Sequence, residues 1–141
     1  MQVEVFLDAA YAIALSATSD QYHARAMELR SQMKIEGTRL VTTQGVVLEV
    51  GNALSKLRYR DAAIRLVASL LTDPNVEVLP LEAELFARAF RLYSDRADKE
   101  WGLTDCVSFV VMADRGIREA LTADEHFQQA GFLPLLREKQ T

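Results

Sequence analysis

The chain has 141 residues, 50% of them hydrophobic and 26% charged, which suits a single globular domain with a full core. Its formal net charge of −4 removes any whole-molecule electrostatic case for nucleic-acid binding, but not one from local basic patches. No apolar run approaches the roughly 20 residues of a membrane span. The single cysteine, Cys106, excludes an internal disulfide and reads as a buried thiol in a reducing, cytoplasmic setting.

The opening Met-Gln-Val-Glu-Val-Phe-Leu-Asp has an acid inside its apolar run and no basic leader, unlike a secretory signal. Residues 3–7 alternate β-branched or aromatic residues with a polar one, which predicts a short strand ending at Asp8. Helices are predicted over 9–17 and 21–35, the second with Ala26, Leu29 and Met33 at helical spacing and Gly37 as its C-terminal cap. Residues 39–43 form a second strand candidate. An amphipathic helix is expected over 45–57, with Val46, Val50, Ala53, Leu54 and Leu57 as its core stripe. Another runs over 60–71, up to the turn signal Asp73-Pro74-Asn75.

Residues 76–79 form a third strand cut off by Pro80. A long helix follows over 82–94, with Leu85, Phe86, Ala89, Leu92 and Tyr93 on one side. After a charged loop, 104–113 is apolar nearly all round and so reads as a helix buried between layers. A fourth strand is expected over 118–122, a small helix over 124–130 and an edge strand over 131–134. Strands separated by helices imply an α/β domain whose parallel sheet of four to five strands is covered on both faces.

Four carboxylates sit where apolar stretches end or helices begin: Asp8, Glu49, Asp105 and Asp124. In an open parallel sheet, sites form outside the carboxyl ends of the strands. Asp8 and Asp124 would share that edge, with Glu49 and Asp105 entering from helices. Two such charges about 5 Å apart repel by roughly 3 kcal/mol at an effective dielectric near 20, so the cluster would raise its pKa values or recruit a divalent cation. Taken singly, Asp8, Asp124 and the Thr104-Asp105 pair also read as helix caps, and Thr122 with Glu125 as a capping box. Glu49 has no capping role, and a mid-helix Glu is usually just solvated; Asp105, sharing a helical face with Phe109 and Met112, is the acid that resists such a bland account.

In that order these residues resemble the PIN domain, more narrowly the VapC-like ribonuclease toxins. The likeness is carried by Asp98-Lys99-Glu100-Trp101-Gly102-Leu103-Thr104-Asp105-Cys106-Val107, by Ala120-Leu121-Thr122-Ala123-Asp124-Glu125-His126-Phe127, by Thr42-Thr43-Gln44-Gly45-Val46-Val47-Leu48-Glu49, and by Phe6-Leu7-Asp8. Ala9 and Ala10 depart from it, because the family often has Ser or Thr just after the first Asp. The resemblance implies a three-layer α/β/α fold over residues 1–135, with 136–141 as a polar tail. It also implies an acidic pocket for Mg²⁺ or Mn²⁺, RNA cleavage leaving a 5′-phosphate and a 3′-hydroxyl, a homodimer, and inhibition by a small antitoxin.

On this reading Asp8 and Asp105 are the core metal ligands and Asp124 completes the pocket. Glu49 is either a ligand or the group that helps deprotonate water. Thr104 and Asn52 are placed as supporting partners, and His126 at the pocket border. Lys56, Arg58, Arg60 and Arg65 form a basic cluster that reads either as a phosphate track or as a solvated helix surface. Tyr22, Tyr59 and Trp101 are candidates for base stacking or for burial. The alternative function is an inactive or housekeeping PIN module that binds RNA or a protein partner. Receiver and haloacid-dehalogenase-type domains fit poorly, because their acidic pair or Asp-x-Asp is missing around Asp8.

Overall fold

The structure, a computed structural model, describes residues 3–137. Five strands, β1 (Glu4–Leu7), β2 (Arg39–Thr43), β3 (Val76–Leu79), β4 (Glu119–Leu121) and β5 (Leu133–Pro134), form one sheet in the order β3-β2-β1-β4-β5. Every pairing is parallel. Parallel neighbours need a crossover, and helices fill each one. These are α1 (Ala9–Ser16) and α2 (His23–Glu36), α3 (Gln44–Ala53) and α4 (Leu57–Thr72), α5 (Ala83–Asp95) and α6 (Leu103–Arg115), and finally α7 (Glu125–Gln129).

Successive strand residues point to opposite faces, and in central β1 the consecutive Val5, Phe6 and Leu7 are all buried. Both faces of the sheet are therefore covered, giving three layers, α/β/α. From Cys106 to Met112 every residue of α6 is buried, as its all-round apolar sequence requires. Gly37 adopts φ 70° and ends α2 by donating its N–H to Met33 O, a left-handed cap that a Cβ would strain. Leu135 and Leu136 are buried, and Arg137 donates to Ala123 O, so packing runs past residue 135. The rest of the expected polar tail, 138–141, lies outside the described residues.

Two expected apolar stripes are corrected. The helix over 45–57 is divided: α3 stops at Ala53, and Lys56 turns extended before α4 begins. Ala53 is exposed, as is Leu57 at 92%. Leu57 kept helical spacing from Val50, but the chain bends there, and Arg60 donates to the Ser55 carbonyl freed at the bend. On α5 only Ala89 is buried, with Leu85 and Leu92 against the core. Phe86, Phe90 and Tyr93 stay in solvent, because the apolar arc is wider than the surface α5 has to cover.

Candidate metal centre

From β1 the chain builds β2 and β3 to one side, while β4 and β5 lie on the other, so the connections diverge between β1 and β4. Leu7 pairs with Leu121, which sets the next residues, Asp8 and Thr122, side by side at the carboxyl edge. The Thr122 hydroxyl donates to Asp8 Oδ2 at 2.8 Å and accepts from Asp124 N–H at 3.1 Å. That one buried hydroxyl thereby links two of the four acids. On the other flank Thr42 Oγ1 donates to Leu7 O at 2.7 Å.

The capping roles agree with those expected of the sequence only in part. Asp8 occupies the N-cap position of α1 but makes no capping hydrogen bond. Asp105, the acid expected to resist such an account, does make one: its Oδ2 accepts from Gly102 N–H at 2.9 Å. Asp124 caps α7 through His126 N–H at 2.9 Å. The expected Thr122–Glu125 capping box gives way to the Asp8 link, because the β1–β4 register leaves Thr122 facing Asp8.

Glu49 arrives on α3, which lies close to the start of α6. A Cβ added at Gly45 would sit 3.4 Å from Thr104 Cγ2 and from Thr43 Oγ1, so glycine suits this approach. The Thr104 hydroxyl lies close enough to the Glu49 carboxylate to favour its charged form. Asn52 is exposed, nearly a turn beyond Glu49 along α3.

The electrostatics show that all four acids converge. Burial pushes the Asp8 carboxyl up to about 6, with Asp105 and Asp124 adding repulsion, against the lowering by the Thr122 bond. Glu49 is pushed up to about 7, first by burial and then by Asp8, Asp105 and Asp124. Among the described residues the ion pairs bring no lysine or arginine to these acids. The imidazole of His126 is there instead, with Nδ1 at 3.1 Å from Asp105 Oδ2 and 3.5 Å from Asp124 Oδ1. Donor atoms of Asp105, Asp124 and His126 lie within 4.8 Å of one another. A hard divalent cation suits this oxygen-rich set, since it would relieve the repulsion among the carboxylates.

His126 is thus inside the cluster rather than at its border. The available signal was its place two residues after the capping Asp124, in the first turn of α7. Trp101 is buried, with Nε1 donating to Gln129 Oε1 at 3.0 Å and its ring edge-on to Phe109, which removes it as a stacking platform. Tyr22 is half-buried, while Tyr59 is exposed beneath the Arg58 guanidinium. Lys56, Arg58, Arg60 and Arg65 are all exposed. At 100° per residue Arg58 and Arg65 share one side of α4, whereas Arg60 points nearly opposite.

The PIN domain family model matches residues 5–133. Two curated relatives, each the 23S rRNA-specific endonuclease VapC20 from a strain of Mycobacterium tuberculosis (CDC 1551 / Oshkosh and ATCC 25618 / H37Rv), are 27% identical over 129 residues. The match covers 92% of this chain and 95% of each relative. The crystal structure of M. tuberculosis VapC20, a Sarcin-Ricin loop cleaving toxin, superposes with a TM-score of 0.82 at 26% identity, covering 92% of this chain and 96% of that one.

Proposed function

Because this chain belongs to the PIN domain family, we propose that it is a divalent-metal-dependent endoribonuclease, the toxin of a toxin–antitoxin pair. The observation that carries this reading is the convergence of Asp8, Glu49, Asp105 and Asp124 at the β1–β4 switch point, with two of them held well above ordinary carboxylate values. Asp8 and Asp105 are the core ligands of a Mg²⁺ or Mn²⁺ ion, and Asp124 completes their pocket. When bound, such an ion supplies positive charge to the phosphoryl oxygens and acidifies water.

The chain's own groups do the rest. Thr122 holds Asp8 in place and Gly102 N–H fixes Asp105. Glu49, at about 7, is poised to accept a proton from the attacking water near neutral pH. As the water gives its proton to Glu49, its oxygen bonds to phosphorus, the phosphorus–O3′ bond breaks, and the departing 3′-oxygen takes a proton from solvent to leave as a hydroxyl. Thr104 orients Glu49 for that work, and Asn52 is assigned a supporting place near it.

The relatives are named for cutting 23S rRNA, so ribosomal RNA is the first substrate to try. Arg58 and Arg65 supply a phosphate-contacting stripe on α4, with Lys56 and Arg60 flanking it. The reading includes a cytoplasmic homodimer and a small antitoxin partner. Exposed Phe86, Phe90 and Tyr93 on α5 support a protein contact. Among the described residues no helix is long and apolar enough to cross a membrane.

The test is to incubate RNA with Mg²⁺ and either wild type or Asp8→Asn, and to sequence the new ends. Cleavage at defined sites by wild type alone supports the proposal. Wild-type protein that takes up no divalent ion and cuts no RNA returns the chain to a binding-only module.

A further inference from the structure

The acids alone account for a hard-cation site, but they leave the imidazole in their midst without a task. His126 Nδ1 is 3.1 Å from Asp105 Oδ2 and 3.5 Å from Asp124 Oδ1, and the side chain is 24% exposed. Adjacent donors about 2.1 Å from an octahedral ion lie about 3 Å from each other. The shorter separation fits one edge of such a polyhedron, and the longer one is within reach of a small adjustment.

The ring is held there from behind. Asp124 caps His126 N–H, and the next residue, Phe127, is fully buried with its ring centroid 5.0 Å from that of Phe109. The other histidine, His23, is occupied elsewhere, with Nδ1 2.8 Å from Ala14 O.

We propose that His126 Nδ1 is a metal ligand beside Asp105 and Asp124, making the centre a mixed oxygen–nitrogen site that prefers a first-row transition ion to Mg²⁺. This rests on the metal-dependent reading above and adds a ligand and a selectivity to it. Imidazole is a favoured donor for the later first-row ions, whereas Mg²⁺ favours oxygen and sheds water reluctantly. A purely structural His126 would donate a hydrogen bond to Asp105 and would leave the two classes of ion ranked by the carboxylates alone.

Co²⁺ and Mg²⁺, titrated separately by calorimetry into metal-free wild type, His126→Gln, His126→Leu and Asp105→Asn, decide the matter. Co²⁺-loaded wild type should show one paramagnetically shifted, exchangeable imidazole N–H resonance. It should also bind Co²⁺ at least about tenfold more tightly than Mg²⁺. In His126→Leu the resonance disappears, and the Co²⁺/Mg²⁺ ratio falls about tenfold with Mg²⁺ affinity nearly unchanged. His126→Gln, which keeps a polar side chain, loses the resonance too and guards against a folding defect in the leucine variant. Stoichiometric Co²⁺ binding by wild type without a shifted imidazole signal overturns the ligand role and leaves the metal reading standing. Wild type that binds neither ion, or Asp105→Asn that binds both as well as wild type, overturns the metal reading itself.

Discussion

The two ends of α6 meet acidic side chains in opposite ways. At its last turn Arg115 reaches Glu4 on β1 and Glu77 on β3, each at 2.8 Å, so two strands' acids share one guanidinium. Those bonds hold the Glu77 carboxyl below its usual value and raise Arg115 further. At the first turn, roughly 15 Å away at 1.5 Å per residue, Asp105 joins Asp8, Glu49 and Asp124 with no guanidinium or ammonium among the described ion pairs. There burial and mutual repulsion raise Asp8 and Glu49. The fold pairs acids with arginine at one edge of its sheet and, among the described ion pairs, with only the His126 imidazole at the other, where a divalent cation suits them. The strain at that edge is the kind that marks functional sites.

The most severe way to break the contrast is to remove a charge at the acidic edge. Asp8→Asn or Asp105→Asn should lower Mg²⁺-dependent RNA cleavage by on the order of a hundredfold or more, beyond the 10–100-fold typical of a lost supporting group. Both variants should keep a cooperative melt, and without metal they should melt no lower than wild type, since repulsion has been relieved. Full cleavage by both folded variants would sink the assignment.

The pH dependence of the metal-free protein comes next. Asp8 and Glu49 keep protons in the fold that the unfolded chain releases near pH 4. Their contribution to stability is fully present below that value and is lost as pH rises through about 6 for Asp8 and about 7 for Glu49. Glu77 has the opposite sign: its contribution is present above the ordinary carboxylate value and is lost as pH falls through its lowered one. Denaturation with chelator present should therefore show stability falling between about pH 4 and pH 7. Saturating Mg²⁺, which binds better as these protons leave, should flatten that fall; a flat profile without metal would contradict the charge assignment.

Breaking the paired edge should do less. Arg115→Met removes the shared partner of Glu4 and Glu77 and should cost about 1 kcal/mol, the scale of a partly exposed ion pair. Cleavage and metal affinity should stay as in wild type; a loss of either would mean that the two edges communicate through α6. The smallest effect is expected on α4. Charge reversal of Arg58 and Arg65 together should weaken RNA binding several-fold and shallow its salt dependence by about two phosphate contacts. Reversal of Arg60, on the other side of α4, should leave the salt slope unchanged.

Much of the carboxyl edge is legible in the amino-acid sequence. Strands over 39–43 and 76–79, the buried character of α6 and the Gly37 cap follow from local period and turn chemistry. Local pattern went wrong where a neighbour decides. Leu57 repeats the α3 stripe in sequence, but the chain bends before it. Phe86 and Tyr93 lie on an apolar arc that α6 only partly covers. The expected caps at Asp8 and Thr122 failed for the same reason, whereas Asp124 does cap α7. Whether Thr122 pairs with Glu125 or with Asp8 depends on the β1–β4 register, and no window of residues around Thr122 contains that information.

The sequence by itself determined the alternation of strands and helices, the identity of the acids, and their places at element ends, because those rest on periodicity and on residue chemistry. Tertiary structure alone decided which groups share a site. It set Asp8 beside Thr122 through strand pairing, brought Glu49 to Thr104 through a helix approach that glycine eases, and turned His126 inward on a buried Phe127. Repulsion and burial act over a few ångströms of space, and only the packed chain brings positions 8, 49, 105, 124 and 126 within that range.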